Sequence, residues 1–298
     1  MNSDFSKYAD PPYLISIAGD SSSGKDTLSD ALQDIFLHGK SISISGDNYH
    51  KWDRGMPMWS IMTHLNPKAN NLDQYKDDIF NLKSRKNIVS QYYQHDTGKM
   101  TLPFLSRSNE FILASGLHAL YDQEVAKASH LNIYLDIDEG LRRFLKIKRD
   151  TSKRNQGKKE IINSIEKRIF DAKKYIHPQK KYADIIFKVC PVNDISQVNS
   201  QEEPKLKLEI YTNYRLPIDS LKKTIIGICG LYMDIDSNDD YKYKITIEGE
   251  STPDDMVEAV SMLGDDFLNF IDNRPIWHGG NLGIMQLISL LMLKSKIS

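Results

Sequence analysis

The sequence has few of the features that mark secreted or membrane-spanning proteins. Cysteine occurs twice in 298 residues, at Cys190 and Cys229, which argues against a disulfide framework and favours a reducing compartment. The N-terminal residues have no basic stretch followed by an apolar one, so we predict no signal peptide. The longest apolar run near the C-terminus, LGIMQLISLLMLK, is shorter than the roughly 20 residues that a membrane span needs. We therefore expect a cytoplasmic protein without a membrane partner.

The chain also lacks an excess of charge of one sign. Lysine and arginine number 39 and aspartate and glutamate 40, so the net charge is −1. Without a basic excess there is no bulk attraction to nucleic acid, and we expect no such partner. The length suits one large domain or two modest ones.

The first two-thirds of the chain alternates short apolar runs with amphipathic stretches. The runs predict strands at 13–19, 41–47, 110–116, 131–137 and 184–190. The stretches between them predict helices at 25–38, 72–84, 139–151 and 158–176. This alternation is typical of an α/β fold with a mainly parallel sheet flanked by helices. In such sheets, ligands bind outside the carboxyl ends of the strands.

The pattern changes after about residue 195. Three β-rich runs follow, at 205–214, 224–235 and 241–250, and then two helices near 253–271 and 283–295. We predict a core over 1–195 and a C-terminal α+β extension with antiparallel strands over 196–298, packed on that core. The sequence does not reveal an oligomeric state, although exposed apolar strands in the extension are compatible with a homodimer.

The segment ISIAGDSSSGKDT, residues 15–27, is typical of a phosphate-binding loop between a strand and a helix. Backbone N–H groups and the positive end of the following helix suit phosphate oxygens there. The alternative is a serine-rich turn that caps a helix. The predicted nucleotide-binding residues are Gly19, Asp20, Ser21, Ser22, Ser23, Gly24, Lys25, Asp26 and Thr27.

Asp26 stands where this motif usually has a magnesium-binding hydroxyl. The later strand that usually supplies an acidic residue reads FILASG and offers Ser115 instead. A carboxylate and a hydroxyl are thus both present with their places exchanged, and we predict a metal site at Asp26 and Ser115. The alternative is that Thr27 or water molecules serve the metal, or that the metal is held weakly.

Asp47 follows the second predicted strand, where a carboxylate can accept a proton from an attacking hydroxyl. His50 and Arg54 follow at helical spacing and suit a small anionic substrate. A simple helix N-cap turn is the competing interpretation.

A basic cluster occupies the end of the helix at 139–151, with Lys146, Arg149, Asp150 and Arg154 close together. It leads into a polar loop, and we predict a lid near 150–160. The alternative is a solvated helix face. Tyr93 and His95 lie in a predicted turn and gain interest only beside these residues.

Together these motifs resemble the phosphoribulokinase/uridine kinase family of P-loop kinases. The resemblance rests on the phosphate loop and, in order, on DNYHKWDR, LNPKANNLDQY, YYQHDTG, SGLHALYD, IYLDI, KIKRDTSKR, DAKKYIHPQKKYADIIFKV and GGNLGIMQLI. It implies transfer of the ATP γ-phosphate, with Mg²⁺, to a hydroxyl of ribulose 5-phosphate. It implies Asp47 as the base and Lys146 and Asp150 as further catalytic residues. The acceptor would be held by His50, Arg54, Tyr93, His95, Arg149 and Arg154.

The sequence departs from the family pattern at Asp26 and Ser115, where the family has a hydroxyl and an acidic residue respectively. The regulatory cysteines of the plant-type members are absent, so thiol switching of that kind is not expected. Two other interpretations stay open. One is a uridine or cytidine kinase, which would not need arginines for a second phosphate. The other is a nucleotide-binding regulator that performs no chemistry.

Overall fold

A computed structural model describes residues 11–36, 39–154, 157–197, 202–237, 240–263, 271–272 and 274–297. The strands are β1 Tyr13–Gly19, β2 Ser41–Ser45, β3 Ile88–Ser90, β4 Tyr93–Gln94, β5 Lys99–Met100, β6 Phe104–Ser106, β7 Phe111–Gly116, β8 Leu131–Ile137, β9 Ile185–Pro191, β10 Leu206–Thr212, β11 Tyr232–Asp236 and β12 Tyr243–Glu248. The helices are α1 Lys25–Gln33, α2 Pro57–Ile61, α3 Leu72–Lys83, α4 Gln123–Ala128, α5 Glu139–Arg154, α6 Lys158–Asp171, α7 Ile218–Lys222, α8 Pro253–Ser261 and α9 Gly280–Ile297.

One eight-stranded sheet organises the molecule, in the order β11-β12-β10-β9-β8-β1-β7-β2. The strands from β9 to β2 pair in parallel, whereas β9, β10, β12 and β11 pair antiparallel. The predicted α/β class, with a mainly parallel sheet and antiparallel C-terminal strands, is confirmed. Because the carboxyl ends of β1, β2 and β7 meet at one edge, the phosphate loop, Asp47 and Ser115 come together there.

The central strands are apolar on both faces because helices cover both sides of the sheet. In β1, Leu14, Ile15 and Ile17 are at most 1% exposed. Burial of each such side chain stabilises the fold by roughly 1.5–3 kcal/mol. The strand that carries the phosphate loop is therefore anchored in the core of the sheet.

The C-terminal helix α9 packs against α1, the helix that follows the phosphate loop. Ile284 and Leu287 of α9 belong to the same buried cluster as Leu28 of α1. Gln286, fully buried, donates from Nε2 to the carbonyl of Ala31 over 2.6 Å. No helix in the described ranges is both long and apolar enough to cross a membrane. The predicted division at residue 195 remains a prediction.

Two predicted elements of the core end earlier than expected. The strand predicted at 41–47 stops at Ser45, and Gly46–Tyr49 forms a 3-10 turn because the Ser45 hydroxyl accepts the Asp47 amide over 3.3 Å. The helix predicted at 25–38 stops at Gln33. The chain leaves α1 so that Phe36 can stack on Phe111, with ring centroids 4.2 Å apart.

The larger error lies in the C-terminal part. The β-rich run predicted at 224–235 is helical at first, because α7 continues as a wide helical turn over Lys223–Ile228. Only Tyr232–Asp236 is a strand. Leu221 and Ile225 are buried four residues apart, which is helical and not alternating spacing. The helix predicted at 253–271 ends at Ser261, and residues 264–270 lie outside the described residues.

Candidate active site

The loop between β1 and α1 has the geometry of a phosphate cradle. A Cβ at Gly19 would collide with the carbonyl oxygen of Leu135, so only glycine lets β1 lie this close to β8. Gly24 has a left-handed φ of 91°, and α1 begins at the next residue, Lys25. The first amides of α1 and the positive end of its dipole therefore face the edge of the sheet where an anion binds best.

Lys25 is held at the floor of this loop. Its ammonium donates to the carbonyl of Asp20 over 2.8 Å, which leaves two N–H groups for phosphate oxygens. The Asp20 carboxylate accepts the amide of Ser21 over 2.6 Å and lies 3.4 Å from His177 Nε2. Burial alone would raise the pKa of Asp20, but the hydrogen bond with His177 and the charge of Arg142 hold it below its ordinary value. An ionised Asp20 thus stabilises the loop from within.

Asp26 and Ser115 are in direct contact. The Ser115 hydroxyl, 1% exposed at the end of β7, donates to Asp26 Oδ1 over 3.2 Å. Asp26, the second residue of α1, is exposed. Both oxygens are hard ligands of the kind that Mg²⁺ prefers. The two residues predicted as one metal site thus lie side by side.

Asp47 lies between two histidines. His50 Nε2 is 3.5 Å from one carboxylate oxygen and His95 Nε2 is 3.6 Å from the other. Burial alone would raise the pKa of Asp47, but the positive charges of His50 and Lys25 outweigh burial and hold the pKa below its ordinary value. Asp47 is therefore ionised at neutral pH and can take up a proton.

A short hairpin, β4 and β5, positions the neighbours of Asp47. The amide of Arg54 donates to the carbonyl of Gly98 over 2.8 Å. Gly98 has a φ of 72°, and a side chain there would collide with that of Arg54. The Arg54 guanidinium also hydrogen-bonds the Tyr93 hydroxyl. The hairpin therefore carries Tyr93 and His95 to the same side of the sheet edge as Asp47 and Arg54.

Helix α5 brings a second charged group to this place. Lys146 and Asp150 are 4% and 2% exposed, with Nζ and Oδ2 3.6 Å apart, and Arg149 Nε donates to Asp150 Oδ1 over 2.8 Å. Burial lowers the pKa of Lys146 to about 8, and repulsion from Arg168 acts in the same direction. Arg154 is the last residue of α5, and its side chain lies outside the described part of the chain.

Most of the predicted residues share one cavity of about 590 Å³. The predicted residues that line it are Ser21, Ser22, Gly24, Lys25, Asp26, Thr27, Asp47, His50, Arg54, Tyr93, His95, Lys146, Arg149 and Asp150. Gly19, Asp20, Ser23 and Ser115 do not line it, although Asp20 and Ser115 bond to Lys25 and Asp26, which do. Four segments that are distant in sequence therefore face one space.

Nine other residues line the cavity that were not predicted as site residues, among them Trp59, His64 and Arg168. The Arg168 guanidinium carbon lies 5.7 Å from the centre of the Trp59 ring, and its charge is attracted by Asp20 and Asp150. Arg168 is one basic residue among several on α6, so no pattern singled it out. Trp59 and His64 fall between predicted elements, where spacing carries no signal.

The fold and this cavity are those of a P-loop kinase. A parallel strand, a glycine-rich loop and a helix that begins with lysine form the phosphate side, and a carboxylate with basic residues faces it. More specifically, the chain belongs to the phosphoribulokinase/uridine kinase family, because the sequence model of that family matches residues 14–196.

Individual relatives agree with this assignment. The chain is 37% identical over 188 residues to the phosphoribulokinase of Synechocystis sp., covering 63% of this chain and 57% of that protein. It is 31% identical over 214 residues to the chloroplastic phosphoribulokinase of Triticum aestivum, covering 66% and 53%. It is 27% identical over 194 residues to the uridine kinase of Lactobacillus helveticus, covering 62% and 90%. The chain thus matches little more than half the length of the two phosphoribulokinases.

A solved structure extends the likeness to the whole fold. The phosphoribulokinase from Rhodobacter spheroides superposes with a TM-score of 0.65 at 18% identity, covering 97% of this chain and 100% of that one. The C-terminal strands and helices, which lie beyond the family match, are therefore part of the shared architecture.

Proposed function

We propose that the protein transfers the γ-phosphate of ATP to a hydroxyl of ribulose 5-phosphate and so forms the 1,5-bisphosphate. The observation that carries this proposal is Asp47, an ionised carboxylate held between two histidines in the same cavity as Lys25 of the phosphate loop. A base and a phosphate cradle that face one space are what phosphoryl transfer to an alcohol requires.

The chemical step follows from these positions. The acceptor hydroxyl gives its proton to Asp47 while its oxygen attacks the γ-phosphorus. The bond from that phosphorus to the β–γ bridging oxygen breaks, and ADP leaves. Lys25 and the first amides of α1 bind the phosphate oxygens and stabilise the charge that shifts toward ADP. Lys146, paired with Asp150 on α5, supplies a further positive charge.

Mg²⁺ fits the pair formed by Asp26 and Ser115. Within the described residues no group of three or more His, Cys, Asp or Glu side chains could hold a metal on its own. Mg²⁺ usually takes one or two protein oxygens and completes its shell with water and substrate phosphates, and Asp26 and Ser115 offer two oxygens side by side. Bound there, it would neutralise charge on the β- and γ-phosphates.

Three arginines favour a phosphorylated acceptor over a nucleoside. Arg54, Arg149 and Arg168 all line the cavity, and a guanidinium binds phosphate in a bidentate manner. A uridine or cytidine acceptor carries no phosphate for these guanidinium groups to bind. The name of the Synechocystis relative, phosphoribulokinase, agrees with a sugar phosphate as the acceptor.

The test is ADP release by the purified protein with MgATP, alone and with ribulose 5-phosphate, other pentose phosphates or uridine. We expect strong stimulation by ribulose 5-phosphate. Stimulation by uridine alone would replace the proposal with a nucleoside kinase. ATP binding without turnover on any acceptor would support the regulator interpretation and implicate the exchanged pair at Asp26 and Ser115.

A further inference from the structure

His64 and Trp59 form a polar patch in the cavity that the chemical step above does not use. Their ring centroids lie 6.0 Å apart, with the planes at 88°. His64 Nε2 and Trp59 Nε1 are both buried and have no hydrogen-bond partner among the described residues. Buried polar atoms without partners are rare because their lost hydration is not replaced. Both rings line the cavity, but less than 1 Å² of either nitrogen is accessible, so a bound molecule supplies the missing partners only when the side chains around the two rings move apart.

The tautomer of the His64 ring can be assigned. The His64 ring has a hydrogen bond with the backbone of Trp52, and this bond raises the pKa of the ring, so the ring is the donor and the Trp52 carbonyl the acceptor. Because His64 Nε2 has no partner, the donating atom is Nδ1. Burial lowers the pKa of His64 to about 3, and the stacked ring of His50, with centroids 3.4 Å apart, acts in the same direction. The ring is neutral at physiological pH, and Nε2 presents a lone pair.

A lone pair at this position selects the chemistry of its partner. It repels a phosphate oxygen, and the arginines of the cavity already suit phosphate. A hydroxyl group matches the patch, because it donates one hydrogen bond and accepts another. His64 Nε2 can only accept in its neutral form, and Trp59 Nε1 can only donate, so together they complement a polyol.

We propose that His64 is a specificity-determining residue that accepts a hydrogen bond from a non-reacting hydroxyl of the acceptor sugar, with the Trp59 N–H donating to the same polyol. This inference rests on the proposed function, since it requires a sugar phosphate in the cavity. In ribulose 5-phosphate the non-reacting hydroxyls are those on carbons 3 and 4, because carbon 1 receives the phosphate. His64 would thus separate acceptors that differ by a single hydroxyl.

The test combines variants with substrate analogues. Steady-state kinetics with MgATP would compare ribulose 5-phosphate with its 3-deoxy and 4-deoxy analogues, on the wild type, His64→Leu and His64→Gln. The wild type should lose about tenfold to hundredfold in kcat/KM on one analogue. The kcat/KM of His64→Leu for ribulose 5-phosphate should be lower than that of the wild type by a similar factor. His64→Leu should then use that analogue as well as it uses ribulose 5-phosphate. His64→Gln should keep part of the discrimination because its Oε1 also accepts, and the KM for MgATP should not change.

His118 provides a matched control. It is also a buried histidine, 6% exposed against 7% for His64, but its Nε2 already bonds the carbonyl of Leu65 over 3.0 Å and it does not line the cavity. His118→Leu should lower thermal stability and keep the full discrimination between ribulose 5-phosphate and the analogues. A change of discrimination in His118→Leu equal to that in His64→Leu would overturn the assignment.

The remaining outcomes separate the two proposals. If ribulose 5-phosphate stimulates the wild type and both deoxy analogues give the same kcat/KM as ribulose 5-phosphate, His64 has no role in specificity. The proposed function would then remain intact. If kcat/KM falls by the same factor from ribulose 5-phosphate to the analogue in the wild type and in His64→Leu, the role of His64 is likewise refuted and the proposed function remains. A wild type that ribulose 5-phosphate does not stimulate would overturn the proposed function and this inference together.

Discussion

Exchanging the side chains at positions 26 and 115 tests whether they share one metal. The variants are Asp26→Thr, Ser115→Glu and the two combined. The first removes the carboxylate from the site. The second places another carboxylate next to Asp26. The double variant restores one carboxylate and one hydroxyl, in the arrangement that the family pattern has. We therefore expect the double variant to retain more metal affinity and activity than either single variant.

The magnitude follows from burial and distance. The Ser115 hydroxyl is 1% exposed and lies 3.2 Å from the Asp26 carboxylate. Two carboxylates about 4 Å apart repel by about 4 kcal/mol at an effective dielectric constant of about 20. Solvent screening at the exposed Asp26 reduces this value, so we expect a coupling energy of about 2–3 kcal/mol between the two substitutions. This repulsion acts in the metal-free protein, so we expect the coupling in its free energy of unfolding, because a bound cation would relieve the repulsion.

The assay is electron paramagnetic resonance of Mn²⁺ bound in the presence of ADP, with thermal unfolding of the metal-free protein measured in parallel. Asp30→Thr, alone and with Ser115→Glu, is the control, because Asp30 is an exposed carboxylate of α1 one turn beyond Asp26 and outside the cavity lining. The effects of Asp30→Thr and Ser115→Glu should add, with little coupling energy between them. If the Asp26→Thr and Ser115→Glu effects add within about 0.5 kcal/mol, the two residues do not share a metal.

Asp47→Asn should lower kcat by about 10²–10⁴-fold and leave the Kd for ATP near its wild-type value, and unchanged single-turnover kinetics would remove Asp47 as the base. Arg54→Ala should raise the KM for ribulose 5-phosphate by about tenfold, with Arg54→Lys intermediate; an unaltered KM would exclude an anion-binding role. The pKa of Lys146 is about 8, so its ammonium is present below that pH and lost above it. The kcat/KM for the acceptor should therefore fall above about pH 8, and a profile flat to pH 10 would contradict a required charge at Lys146. Burial raises the pKa of both Cys190 and Cys229 to about 11, so treatment with a disulfide reagent should leave activity unchanged, and reversible inactivation would contradict this.

The sequence predicts the sheet and the phosphate loop well because their signals are local. β1 and β8 have the predicted bounds, since an apolar run followed by a polar turn fixes a buried strand. The wide helical turn over Lys223–Ile228 was mistaken for strand because its isoleucines have high strand propensity. Packing of Leu221 and Ile225 on the core decided the conformation instead.

The cavity residues show the same difference between local sequence signals and tertiary packing. Asp47 was predicted because it comes just after a strand that ends at the ligand-binding edge, and Lys25 because it closes the glycine-rich loop that follows another such strand. Trp59, His64 and Arg168 could not be predicted, because only the tertiary fold brings α2, the segment after it and α6 to that edge. The contact between Asp26 and Ser115 was inferred from the exchange of residue types, which needs no geometry.

The packing of α9 on α1 has a consequence for how this chain can be divided. The match to the family ends at residue 196, yet Gln286 makes a buried hydrogen bond to the carbonyl of Ala31 on α1, the helix that follows the phosphate loop. A fragment cut at that boundary would uncover the apolar face of α1 and the edge of β9. The boundary of sequence similarity is thus not a folding boundary, and amide hydrogen exchange should report the nucleotide loop and the last helix opening as one cooperative unit.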